Sequence, residues 1–221
     1  MDHASTDIPP SPLTWAYADA WAEEDPEVAA ARRTAASMGT AALSRPAGSL
    51  LRLVAASLGA RAVVEVGSGT GVSGGWILGG LDDAATLTTV DPDPELAAAA
   101  RATFTRMRIP HTRVRAIAGN PFDVLTRLTD GAYDLLVIGP GISLGVGEEH
   151  DLLRQASRLL RPGGAIAITH ALSDDGVEPT HRDLLQHLRD DPDWTASLLT
   201  VGEGVAVAVR RVPDVEDSGD I

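Results

Sequence analysis

Short apolar runs rich in β-branched residues punctuate the middle of the chain: RAVVEV, ATLTTV, TRVRAIA, YDLLVI and GAIAIT. Stretches of helical composition separate them, PELAAAARATFTRM and EEHDLLRQASRLL among them. Runs of this length and composition read as strands, and the alanine- and leucine-rich stretches between them as helices. Five such alternations predict a mainly parallel sheet covered by helices, because parallel neighbours need crossover connections that lie on the sheet faces. Three helical segments precede the first strand, at about residues 15–24, 26–38 and 46–58, and the last two open on a proline, which suits the first helical turn. The end of the chain breaks the pattern. TASLLTVGEGVAVAVRR holds two strand-like runs joined by Gly202-Glu203-Gly204, with Val205, Val207 and Val209 on one face, and so predicts an antiparallel hairpin. Residues 1–12, polar with three prolines, read as a flexible tail, residues 213–221 as an acidic tail, and residues 13–212 as a single domain.

Composition narrows what this domain does. A formal charge of -13 disfavours nucleic acid and anionic membranes as partners, since either needs a positive surface field, and points to a small-molecule or protein partner. Cysteine is absent, which removes disulfides and thiolate nucleophiles. All 18 basic side chains are arginine, so Schiff-base lysines and the P-loop lysine are removed too. No run approaches the ~20 apolar residues of a membrane span and no signal-peptide pattern opens the chain, so a cytoplasmic location is expected.

The candidate chemistry begins at VVEVGSGTG, residues 63–71, where a glycine-rich turn follows the first strand and precedes a predicted helix at 72–78. Glycine lets the backbone turn tightly and lets a ligand approach where a Cβ would collide. Asp91 ends the second strand, where a carboxylate can accept both hydroxyl protons of a ribose. Gly69, Gly71 and Gly74 also satisfy the dinucleotide pattern GxGxxG, so NAD stands as an alternative nucleoside. Glu65, two residues before the first glycine, favours S-adenosylmethionine: its charge would repel a pyrophosphate and attract the ammonium of a methionine moiety.

These residues resemble the class I S-adenosylmethionine-dependent methyltransferases, and within them the cation-dependent, catechol O-methyltransferase-like family in its actinobacterial form. The carriers are SRPAGSLLRLVA, VVEVGSGTGVSG, LTTVDPDPE, the DVLTRL helix, YDLLVI, LLRPGGAIAI and VGEGVAVAVR, in order across residues 43–211. The resemblance implies an α/β, Rossmann-like seven-stranded sheet of order 3-2-1-4-5-7-6, strand 7 antiparallel, with helices on both faces and extra N-terminal helices. It implies S-adenosylmethionine as cofactor and O-methylation of a small phenolic or catechol-like acceptor. Carried over by position, Leu43 borders the methionine moiety, Glu65 its amino group and Ser73 its carboxylate. Gly67, Ser68 and Gly69 line the turn, Asp91 holds the ribose, and Gly119 and Asn120 lie at the adenine. Pro121 has no N–H to donate there.

The family's divalent-metal ligands fall, on the same carry-over, at Gly139, Thr169 and His170, and its lysine at Ile142. A hard cation wants oxygen ligands, so a bound divalent metal is not expected. Asp174 and Asp175 are nearby in sequence but read more simply as capping or loop residues. His170 becomes the candidate acid–base group, ahead of His150. Trp15, Tyr17 and Trp21 on the first helix are expected to pack that helix onto the core, with cover for an aromatic acceptor as the alternative, and the apolar-aromatic N-terminal region would suit a homodimer. His111, Arg106, Arg108, Arg113 and Arg115 are expected to form a solvated surface. A noncatalytic, ligand-binding or interaction protein that kept this fold is the alternative function.

Overall fold

The computed structural model describes residues 11–142, 147–172 and 179–213. Three helices open it: α1 (Pro12–Trp21), α2 (Pro26–Met38) and α3 (Arg45–Ser57). The alternating region follows as β1 (Ala62–Val66), α4 (Val72–Leu78), β2 (Thr86–Asp91), α5 (Pro94–Arg106), β3 (Val114–Ala118), α6 (Pro121–Leu125), β4 (Tyr133–Ile138), α7 (Glu148–Leu159) and β5 (Leu160–Thr169). It ends with α8 (Pro179–Asp190), β6 (Trp194–Leu199) and β7 (Val205–Arg210). The strand order is β3-β2-β1-β4-β5-β7-β6, with β7 antiparallel to both β5 and β6, as expected. Asp174 and Asp175, with all but the edges of the two predicted tails, lie outside the described residues. Among the described residues, no helix is long and apolar enough to cross a membrane.

One local device starts four of the helices. Ser11, Asp25, Asp93 and Asn120 each accept a backbone N–H of the first turn through a side-chain oxygen, and each is followed by proline at the first helical position. Proline is suited to that position because its fixed φ is already helical and its missing N–H would have had no partner. This cap draws α1 back to Pro12, three residues earlier than the apolar pattern suggested.

Period-2 alternation places successive strand residues in two cores. Val63, Leu87, Leu135, Val137 and Ala167 face α2 to α5, while Val64, Val66, Val90, Leu136, Ile138 and Ile168 face the cluster that includes residues of α7 and α8. The alternation along β7 is shared in the same way, Val205 going to the first core and Ala206 and Ala208 to the second.

Two expectations are corrected. No residue of α1 is buried; Trp15, Tyr17 and Trp21 are 44%, 70% and 75% exposed, so these aromatics do not pack the helix onto the core. The described core offers α1 only an edge against α3, and Tyr17 and Trp21 meet each other instead, their rings 6.3 Å apart. Arg113 is not simply solvated: it pairs with Asp83 and donates to the carbonyls of Asp82 and Ala85, bracing the turn before β2.

The amino ends of the strands are fastened by Asp134, whose carboxylate accepts the N–H groups of Arg61 (2.7 Å) and Ala62 (2.9 Å) and the guanidinium of Arg161 (2.6 Å). These bonds hold its pKa below the ordinary carboxylate range even though its burial acts the other way. Asp134→Ala removes the acceptor of two partly buried backbone N–H groups and should lower the unfolding free energy by about 1–2 kcal/mol in urea melts, with Arg161→Ala costing at most about 1 kcal/mol.

Candidate functional site

Ligands of open α/β sheets bind beyond the carboxyl ends of the strands, and there the chain gathers most of the residues picked out from sequence. The turn after β1 is drawn tight by two backbone bonds: Gly67 N–H reaches Val90 O at 2.7 Å, and Gly139 N–H reaches Val66 O at 2.7 Å. Gly67 and Gly71 both sit at φ 90°, in the left-handed region that favours glycine. Asp91 then pins the turn to β2. Its Oδ2 accepts Gly69 N–H at 2.9 Å and its Oδ1 accepts Asp93 N–H at 3.0 Å. Burial raises the pKa of Asp91, while these two N–H groups oppose the rise. Ser68 accepts the hydroxyl of Thr89 at 2.8 Å, a second tie between the turn and β2.

Glu65 is the outlier. Alternation along β1 turns it toward the α2–α5 layer, where it is wholly buried between Thr89 on β2 and Val137 on β4. Its carboxylate lies against the first turn of α4, close enough that a Cβ on Gly74 would meet Oε2 at 3.2 Å. The hydroxyls of Ser73 and Thr89 are near enough to lower its pKa, yet neither carboxylate oxygen has a hydrogen bond of normal geometry among the described residues. Burial dominates and pushes the carboxyl from 4.5 up to about 7, with a small further push from the charge of Asp91. A buried acid without a partner is costly, so one retained beside the glycine-rich turn and the start of α4 is a candidate partner for a cation.

On the other face of β1 lies an apolar slot of roughly 350 Å³, walled by Val66, Pro92, Phe122, Ile138 and Ile142, with Asn120 at its rim. Gly119, whose N–H donates to Asp91 O, leaves open space where a Cβ would stand. The amide oxygen of Asn120 is already committed to capping α6, accepting Phe122 N–H at 2.9 Å and Asp123 N–H at 3.4 Å. Only its NH₂ is left to face a base edge. Pro121 is the first residue of that helix, so the absent N–H belongs to the capping device.

Leu43 is fully buried in the core that also holds Val72 and Trp76, on the linker between α2 and α3 that passes beside the glycine-rich turn. Phe122, Pro92 and Thr89 were not singled out from sequence. Alternation along β2 could have marked Thr89, since it shares a face with Leu87.

Beyond β4 the tips become crowded. A Cβ on Gly139 would collide with the carbonyl oxygen of Gly67 and lie 3.1 Å from that of Val66, so no side chain fits there with this backbone. Ile142 covers the open side of Gly67. The hydroxyl of Thr169 donates to Ile138 O at 2.9 Å, tying β5 to β4. His170 follows at φ 55°, a conformation sparsely used by residues other than glycine, at the carboxyl end of β5 and two strands from Glu65. The site thus unites Leu43, Glu65, Gly67, Ser68, Gly69, Ser73, Asp91, Gly119 and Asn120 around one turn, with His170 set apart.

Comparison with known proteins bears on the family and the fold. A family model described as a methyltransferase domain matches residues 64–169. A Mycobacteroides abscessus protein named "Putative O-methyltransferase" is 37% identical over 217 residues, 94% of this chain and 99% of its own. Among solved structures, a Corynebacterium glutamicum protein matches with a TM-score of 0.78 and 29% identity, over 89% of this chain and 95% of its own. Cofactor-bound Rv0187 from MTB matches with a TM-score of 0.78 and 27% identity, over 93% and 100%.

Because the folded value for Glu65, about 7, lies above its ordinary 4.5, the stability associated with its neutral form is complete below pH 4.5. It is lost as pH rises toward about 7. Glu65→Gln stays neutral throughout, so its stability relative to the parent protein should climb across that window, by on the order of 3 kcal/mol at most, and level off above it. Urea melts at half-unit pH intervals check this; a difference that is flat with pH contradicts it.

Proposed function

The chain belongs to the O-methyltransferase family of these relatives, and from that premise we propose that it transfers the methyl group of S-adenosylmethionine to a hydroxyl of a small phenolic or catechol-like acceptor. The observation that carries the reading is the buried carboxylate of Glu65, without a hydrogen bond of normal geometry among the described residues, against the first turn of α4. It fits the ammonium of a methionine moiety and would repel the pyrophosphate of a dinucleotide. The remaining residues follow the shape of the same molecule. Asp91 keeps lone pairs for the ribose hydroxyls after its two backbone bonds, the apolar slot beside Asn120 suits an adenine ring, and Leu43 closes the methionine side. Bound there, S-adenosylmethionine supplies an electrophilic methyl group on its sulfonium.

The protein's share of the reaction is to align and deprotonate the acceptor. A hydroxyl oxygen must stand in line with the methyl at near-attack distance and lose its proton as the bond forms. His170 at the end of β5 is the assigned base, because a neutral imidazole nitrogen can take that proton. The positions that would hold a divalent cation by carry-over do not supply a hard-cation donor set. Gly139 has neither a carboxylate nor room for one, and the Thr169 hydroxyl is engaged with Ile138 O. Acceptor activation is therefore assigned to the histidine rather than to a metal at these positions.

Calorimetric titration with S-adenosylhomocysteine tests the cofactor assignment: micromolar binding is expected, weakened ten- to a hundredfold in Glu65→Gln through loss of a charge-assisted contact. Absence of binding at high micromolar concentration contradicts it. With an acceptor found in a phenolic and catechol panel, His170→Ala should lower kcat by about 10²–10⁴ and EDTA should leave the rate unchanged. EDTA inhibition reversed by Mg²⁺ would return activation to a metal. Cofactor binding without turnover of any acceptor would favour a noncatalytic role.

A further inference from the structure

The peptide unit between Leu43 and Ser44 is gripped at both ends by opposite charges. Its carbonyl oxygen accepts from the guanidinium of Arg32 on α2, and its N–H donates to Glu203 Oε2 at 3.4 Å, from the turn between β6 and β7. The peptide dipole has its negative end at the oxygen and its positive end at the N–H, so each end meets the charge that stabilises it. Rotation of the peptide plane would reverse both contacts at once.

Arg32 is itself aimed. Glu24, in the α1–α2 connection with a side chain only 7% exposed, receives Arg32 Nη2 at 2.5 Å and Nε at 3.4 Å, leaving Nη1 for Leu43 O. Glu24 Oε1, the oxygen that accepts Arg32 Nη2, also accepts the indole N–H of Trp76 at 3.3 Å, from the helix that follows the glycine-rich turn, while Oε2 accepts Arg32 Nε. Gly48 makes room for that indole, since a Cβ there would collide with it. On the other side, Gly202 lies so close to the Ser44 hydroxyl that a side chain at 202 would not fit. The linker carrying this peptide passes beside the glycine-rich turn, where Ala41 O stands 3.9 Å from where a Cβ on Gly69 would be, and α2, from which the linker leaves, is tied to the same turn by the Thr70 hydroxyl donating to Ala31 O at 2.8 Å.

We propose that Arg32, oriented by Glu24, and Glu203 form a two-ended electrostatic clamp on the Leu43–Ser44 peptide that positions the linker beside the cofactor turn. They are positioning residues; their effect on the ligand passes through Leu43. The clamp joins three parts of the chain distant in sequence, namely the α1–α2 layer, the helix after the turn and the β6–β7 hairpin. Its consequence for the cofactor rests on the assignment of S-adenosylmethionine above, whereas the clamp itself does not.

The test uses the full chain with Arg32→Lys, Glu203→Ala and the pair combined, each measured well below its melting temperature. Lysine keeps a positive charge near Glu24 but has one nitrogen and cannot bridge Glu24 and Leu43 O as the guanidinium does. Two readouts are taken: hydrogen exchange at the Ser44 amide in the protein alone, and affinity for S-adenosylhomocysteine. Each single substitution should speed Ser44 exchange at least tenfold and weaken affinity about five- to tenfold. The double variant should be scarcely worse than the worse single, because both act on one peptide. Unchanged Ser44 exchange overturns the clamp. Faster exchange with affinity within twofold of the parent overturns its positioning role, as do losses that multiply in the double variant. If the parent protein binds no S-adenosylhomocysteine, the cofactor assignment fails, and the clamp is still judged by Ser44 exchange.

Discussion

The glycine-rich turn and the start of α4 close over a carboxylate that the fold buries without a hydrogen bond of normal geometry among the described residues. Glu65 occupies a position on the central strand where the neighbouring side chains on its face are Thr89 and Val137, and an apolar residue there would be less costly. The chain instead surrounds it with the turn, with the first residues of α4 and with two hydroxyls that fall short of normal hydrogen bonds. Such a group is tolerable as a neutral acid near pH 7 and becomes favourable when an ammonium is placed beside it. The same feature weakens the protein alone, and on the function proposed here it would favour the complex with the ligand.

The second constraint is the closeness of the β1 and β4 tips. Gly139 donates to Val66 O and stands almost in contact with Gly67 O, so the blank end of β4 is set by backbone crowding. With no side chain possible at that point, the nearest polar side chains on the neighbouring strand stand at the end of β5. There Thr169 is used to tie the two strands together and His170 takes up a left-handed conformation.

Much of this was legible in sequence. Strand periodicity foretold the alternating, mainly parallel part of the sheet and the closing hairpin, since each depends on residues close together in the chain, while the strand order came from the family resemblance. Asn120-Pro121 could have been read as the same cap-plus-proline device that opens at Ser11, Asp25 and Asp93; the adenine role drawn from resemblance concealed it. The exposed aromatics of α1 were not legible, because an apolar pattern states what a helix can bury and not whether a surface is there to receive it. Arg32, Glu24, Trp76 and Glu203 had no local signature either. Arg32 and Leu43 are eleven positions apart, Glu24 and Trp76 fifty-two, and Glu203 and Ser44 a hundred and fifty-nine, and only the fold brings them together.

If the ammonium of the cofactor completes the charge of Glu65, binding must displace the proton that burial holds there. The most direct measurement is calorimetry of S-adenosylhomocysteine binding at pH 7 in buffers of different ionisation enthalpy, which counts protons released per ligand bound. Release of roughly half a proton from the parent protein, absent in Glu65→Gln, is the predicted result. Binding with no proton release, or with the same release in both proteins, would show that the buried carboxylate is not the cofactor's partner.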